Sequence, residues 1–137
     1  MSHVVPDIVQ KVVKGQNPLH ILGDGSQTRC YTYGGDLAKG ILASLNNSNA
    51  MNNDFNLSTA TSTTVMDLCK SIWTKLHGPD VPFNFISDPG FEYDVKNRIP
   101  EVTKARDLLG FEAKTTLSDM LDEVIPWIKN AILEGHI

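Results

Sequence analysis

The stretch from Leu19 to Leu37 constrains the fold more than any other part of this chain. A short apolar run, Leu19 to Leu22, is broken by Gly23-Asp24-Gly25-Ser26, and the chain resumes with Arg29, Tyr31 and Tyr33 at alternate positions. Period-two side chains on either side of a Gly/Asp/Gly/Ser cluster predict two short strands joined by a tight turn. On such a strand Arg29 and Tyr31 share a face. A guanidinium beside phenol rings is suited to hold a phosphate, its fork of donors meeting paired oxygens. An edge-strand arginine lying over an aromatic ring satisfies the same pattern. Gly34-Gly35-Asp36 closes the stretch and opens a helix carrying Leu37, Ile41, Leu42 and Leu45, with Asp36 expected to act as its cap.

The segments around this stretch read as helices and short strands. Val4, Val5, Ile8, Val9, Val12 and Val13 recur at helical spacing, with Pro6 in the first turn and Gly15 as the stop. Asn46 to Asn53 is a polar loop. Asp54 to Leu57 predicts a short strand. The run Ser58 to Thr64 has small hydroxylated residues that can either cradle a ligand or cap the next helix, and Thr63 or Thr64 is the expected N-cap. That helix places Val65, Leu68, Cys69, Ile72, Trp73 and Leu76 on one buried stripe. Val81 to Ile86 alternates like a strand and ends in the turn residues Ser87-Asp88-Pro89-Gly90. Phe91 to Pro100 is a loop of aromatic and charged groups that contributes a second arginine, Arg98. A short helix over Glu101 to Leu109 closes at Gly110. The last helix is expected to be capped by Ser118, to bury Leu121, Val124, Ile125, Ile128 and Ile132, and to be bent or divided at Pro126.

These elements predict an α+β chain of about five helices and roughly four to six short strands. At 137 residues and 41% hydrophobic, residues 1–137 are expected to form a single domain around one core. A net charge of -4 offers no basic field, so nucleic acid is not an expected partner. Cys30 and Cys69 stand far apart without metal spacing, so no metal is expected. With no apolar leader and no long apolar run, a cytoplasmic chain with no membrane association is expected.

Gly23-Asp24-Gly25-Ser26-Gln27-Thr28-Arg29-x-Tyr31-x-Tyr33-x-x-Asp36-Leu37 resembles a segment midway through the extended short-chain dehydrogenases/reductases, the NAD-dependent epimerases and dehydratases of nucleotide sugars. A second landmark follows at the matching distance. Asn97 to Ala105, then Leu108-Leu109-Gly110-Phe111-Glu112, is similar to that family's Arg-x-Pro-Asp-x-x-Lys-Ala…Leu-Gly-Trp ending. Phe55-Asn56-Leu57-Ser58 and the helix after it look like the family's Asn-Leu-Gly strand and following helix. Departures occur at Gly34-Gly35, where Tyr-Val-x-Asp is usual, at Phe91, where many members carry arginine, and at Glu101, which replaces aspartate. The resemblance covers essentially the whole chain but only the C-terminal, substrate-binding part of the family's length.

What the resemblance implies is a C-terminal substrate domain without the dinucleotide-binding half. It implies a nucleoside diphosphate sugar, such as a UDP-sugar, as ligand. Arg29 matches the arginine on the diphosphate, and Tyr31 an aromatic lining the same site. His20 and Leu22 match positions lining the base pocket, Val65 a position near the ribose and phosphate, and Arg98 a basic substrate contact. The parent chemistry would be an isomerase or lyase reaction of carbohydrate metabolism. NAD(P) is implied for the complete enzyme and none for this chain alone, because no Gly-x-Gly-x-x-Gly follows a strand and no Tyr-x-x-x-Lys is present. No catalytic residue is therefore assigned here. Apolar surface facing the missing N-terminal half predicts a homo-oligomer of the isolated chain. A stand-alone nucleotide-binding or protein-interaction module without catalysis is the alternative.

Overall fold

The computed structural model describes residues 3–136. They fall into two compact units, one built from residues up to Gln27, Thr64–Lys96 and Ser118 onward, the other from Thr28–Thr63 and Asn97–Leu117.

The first unit holds three helices and a parallel pair of strands. Helix α1 (Val4–Val13) buries Ile8, Val9 and Val12, as its apolar spacing predicts. Helix α3 (Val65–His77) buries Val65, Leu68, Cys69, Ile72 and Trp73, and Thr64 caps it by accepting the Asp67 amide. The Trp73 indole N–H is satisfied by the Val81 carbonyl at 3.2 Å, so the largest ring of the core carries no orphan donor. Helix α5 (Leu117–Leu133) adds Met120, Leu121, Ile125, Ile128 and Ala131. It is not divided at Pro126. The proline removes one amide, which the Asp122 carbonyl would have accepted, while Ile125 and Ile128 on either side stay buried in the core. Leu117 already lies in the helix, so Ser118 falls in the first turn and is not the cap.

Strand β1 (Leu19–Leu22) pairs in parallel with β4 (Phe85–Asp88), in the register Leu19 to Phe85, His20 to Ile86, Ile21 to Ser87 and Leu22 to Asp88. The expected hairpin between β1 and the next strand therefore does not form. The turn residues Gly23 and Gly25 hold φ of 72° and 74°, a region open to glycine, and carry the chain away from β1. Leu19 and Ile21 are buried, and His20 and Leu22 lie on the opposite face. β4 begins later than the Val81 to Ile86 reading and takes in Ser87 and Asp88, which had read as turn residues.

In the second unit, β2 (Thr28–Arg29) forms a two-residue ladder with β3 (Thr63–Thr64). Helix α2 (Gly34–Leu45), a turn of 3-10 helix at Ser48–Ala50 and helix α4 (Thr103–Leu109) surround a small core of Ala105, Leu109 and Phe111. Phe55 and Leu57 pack against that core from an extended segment, but no strand forms over Asp54 to Leu57. Among the described residues no neighbouring strand pairs with it; the Asn56 side chain instead donates to the Glu101 carbonyl at 2.8 Å. Helix α4 starts at Thr103, two residues later than predicted, because the Glu101 carboxylate accepts the Thr103 amide at 2.8 Å. Gly110 ends it in the left-handed conformation.

Asp36 does not act as a cap. Helix α2 begins at Gly34, and the Asp36 carboxylate reaches across to the Lys114 and Thr115 amides at 3.0 and 2.7 Å. It is the one charged side chain buried among the described residues, and Lys39 pairs with its other oxygen at 3.1 Å. The Thr115 hydrogen bonds, with help from Lys39, lower its pKa to about 2.

Candidate functional site

The arginines singled out in the sequence lie in the second unit. Thr28 forms a parallel bridge with Asn97, reinforced by a hydrogen bond from the Thr28 hydroxyl to the side-chain Oδ1 of Asn97 at 2.9 Å. Arg29 and Arg98 are the next residue on each side of that bridge. The bridge is isolated and, among the described residues, no ladder continues from it to the arginines. The Thr28 carbonyl ties them: it accepts the Arg98 amide at 3.3 Å and the Arg29 guanidinium at 2.8 Å. Arg29 is half-buried and Arg98 exposed, so one cation is oriented by its surroundings and the other reaches into solvent. β2 ends at Arg29, so Tyr31 does not share a strand face with it.

Tyr31 lines a cleft of about 150 Å³ together with Thr59, Thr61, Thr63, Lys114 and Thr116. The threonine run thus serves both roles open from the sequence: Thr64 caps α3, and three of its neighbours line this cleft. Thr32 and Ser58 bond to one another at 2.8 Å, and Thr32 also accepts the Thr59 amide at 3.2 Å, which holds the run in place. Sequence reasoning missed Thr28, Asn97 and Lys114. Only the Thr28 and Asn97 positions, each just before an arginine, offered a signal.

His20 and Leu22 lie in the first unit, on the less buried face of β1. Both oxygens of Asp88 lie within 3.1 Å of the His20 Nδ1. The His20 backbone is pinned as well: its amide donates to Gln16, and its carbonyl accepts the Lys11 ammonium. Val65, by contrast, is 7% exposed and belongs to the core, with its amide donated to the Gln27 carbonyl. Its side chain is therefore placed for packing rather than for ligand contact.

The glycine turn at Gly23 and Gly25 runs into β2 and not into a helix. Among the described residues no group of three or more His, Cys, Asp or Glu is placed to hold a metal ion. Nor is any described helix long and apolar enough to cross a membrane.

A sequence profile of the family described as GDP-mannose 4,6 dehydratase matches residues 1–124. The chain belongs to this family. It is the epimerase/dehydratase branch of the extended short-chain dehydrogenases/reductases to which the motifs pointed. One family relative is the UDP-N-acetyl-alpha-D-glucosaminuronate decarboxylase of Bacillus cytotoxicus, 28% identical over 92% of this chain and 40% of its own length. Among solved structures, an epimerase from Methanothermobacter thermautotrophicus superposes with a TM-score of 0.87 at 25% identity, covering 97% of this chain and 39% of that one. The UDP-glucuronic acid 4-epimerase of Bacillus cereus, solved with UDP-glucuronic acid and NAD, gives 0.79 at 26% identity, covering 94% of this chain and 40% of that one. The chain therefore spans about 40% of the length of these family members.

Proposed function

We propose that this chain is the nucleotide-sugar-binding part of an NAD-dependent epimerase/dehydratase and is catalytically incomplete by itself. The observation that carries the reading is the Thr28 carbonyl, which accepts both the Arg98 amide and the Arg29 guanidinium beside the Thr28–Asn97 bridge. A diphosphate spreads its negative charge over its oxygens, and guanidinium groups from two adjoining backbone segments can answer it with planar, permanently charged forks of donors. The reading assigns the diphosphate to Arg29 and Arg98 and hydroxyl contacts to Tyr31 and the threonines beside it. The UDP-sugar named in the Bacillus cereus structure makes a UDP-sugar the ligand class of choice.

On this reading the chain's own residues bind and orient the sugar donor, and hydride transfer belongs to NAD(P) held by a dinucleotide-binding half that the chain does not contain. No tyrosine here has a lysine four residues on, the pair that the resembling family uses as its acid/base.

Titration of the 15N-labelled chain with UDP-glucose, UDP and uridine tests the reading. The expected result is saturable shifts with the two diphosphates, at dissociation constants of roughly millimolar or tighter, and much weaker shifts with uridine. Equal responses to uridine and UDP would remove the diphosphate clamp and the reading with it.

A further inference from the structure

We infer that the groove between the last turn of α3 and α5 binds a small organic anion with an apolar body, and that Lys129 holds the charged end of that ligand. The inference goes beyond the proposed nucleotide reading and shares no residue with it.

The groove lies wholly within the first unit and has a volume of about 360 Å³, at the lower end of the range that holds small organic ligands. Helix α3 contributes Lys75 and Leu76 to its walls, and α5 contributes Asp122, Ile125, Pro126 and Lys129. The four α5 positions are spaced three and four residues apart, so they share one face of that helix. Ile125 is buried and closes the floor, whereas half-buried Leu76 and exposed Pro126 keep apolar surface open to a ligand.

Charge is divided unequally along this face. At one end the Lys75 ammonium lies 2.6 Å from an Asp122 carboxylate oxygen, so the two charges offset each other. Lys129 stands about 10 Å further along the helix axis. It is exposed, and among the described residues no carboxylate pairs with it. The groove is therefore neutral at one end, apolar through its middle and positive at the other. A ligand that matches this order carries one negative group on an aliphatic or aromatic body. Burial of the body supplies most of the affinity. The ion pair adds less, because a pair open to solvent changes an equilibrium by about fivefold at most.

Three probes separate the two parts of the ligand in titrations of the 15N-labelled chain at neutral pH. Hexanoate has both the body and the charge, hexan-1-ol the body alone, and acetate the charge alone. Hexanoate is expected to give saturable amide shifts at residues 75–76 and 122–129, with a dissociation constant of roughly millimolar. Hexan-1-ol should bind the same residues about fivefold more weakly, and acetate more weakly still. Lys129→Gln keeps most of the side chain and is expected to bring hexanoate down to the affinity of hexan-1-ol, which it should leave unchanged. Lys70→Gln removes an exposed charge from α3 outside the groove and should leave both affinities as they were. Equal affinity for hexanoate and hexan-1-ol, or an equal loss of hexanoate binding in the two variants, would overturn the inference. So would shifts confined to the second unit, or no saturable shift in the groove. No nucleotide enters the measurement, so its failure leaves the diphosphate reading standing.

Discussion

The Asp36 carboxylate holds the Thr115 amide at 2.7 Å, linking residues 79 apart in sequence across the second unit. With the Lys114 amide on the same oxygen, this buried group fastens α2 to the segment after Gly110. Asp36→Asn keeps the shape but removes the charge, and is expected to cost about 1–3 kcal/mol in urea unfolding. The pH dependence follows from the lowered pKa. With the folded group at about 2 and the ordinary value at 3.8, its contribution is fully present above 3.8 and disappears as pH falls toward 2. The stability gap between the native chain and Asp36→Asn should therefore close over that window. A gap that stays constant from pH 5 to about 2 would contradict the role given to this carboxylate.

Gly40 sits where α2 meets the Phe111 ring. A Cβ there would approach the ring carbons to 2.9–3.1 Å, and the ring is buried in the core of the second unit. Helix propensity favours alanine by roughly 1 kcal/mol, and overpacking opposes it by about 1–3 kcal/mol. Gly40→Ala is expected to lower the unfolding midpoint. Gly34→Ala, with open space around its Cβ, should not. Equal midpoints for the two variants would show that the Phe111 contact is loose.

Cys69 is fully buried on α3, and desolvation raises its pKa to about 11. Cys30 is half-buried, and burial raises its pKa too. Reaction needs the thiolate, so under native conditions at neutral pH iodoacetamide should modify Cys30 slowly and leave Cys69 intact. In denaturant both should react at similar rates. Native labelling of Cys69 ahead of Cys30 would contradict its place in the core.

Helix α2 also shows an apolar face to solvent. Leu37, Ile41 and Leu45 follow one another at i, i+4 spacing, and with Leu42 they are 41–76% exposed. A contiguous patch of this kind favours association. Sedimentation at roughly tens of micromolar is expected to give a mass above the 15.1 kDa of one chain, and Leu42→Lys with Leu45→Lys is expected to restore it. A clean monomer of the unaltered chain would contradict this expectation.

What could be read from the sequence was what repeats locally. The valine and isoleucine stripe of α1, the stripe of α3 and the Thr64 cap lie within one or two helical turns, where period and capping chemistry leave a signal. The partners of β1 and β2 did not. His20 and Asp88 are 68 residues apart, and Thr28 and Asn97 are 69 apart, so each pairing depends on how the intervening chain folds. A Gly/Asp/Gly/Ser turn looks the same whether the next strand folds back or departs. Asp36 misled for a related reason. Its position near the start of a helix suits a cap, and only the fold brings the Thr115 amide within reach. Arg29 and Arg98 stand out from their motifs, but the Thr28–Asn97 bridge just before them left no signal in the sequence.

The most direct measurement is a double-mutant cycle on UDP binding with Arg29→Ala, Arg98→Ala and the pair, followed by 15N shifts. If both guanidinium groups act on one diphosphate, each single change weakens binding by about tenfold or more, and the two losses are not additive. UDP affinity that survives Arg29→Ala and Arg98→Ala unchanged would contradict the account at its centre.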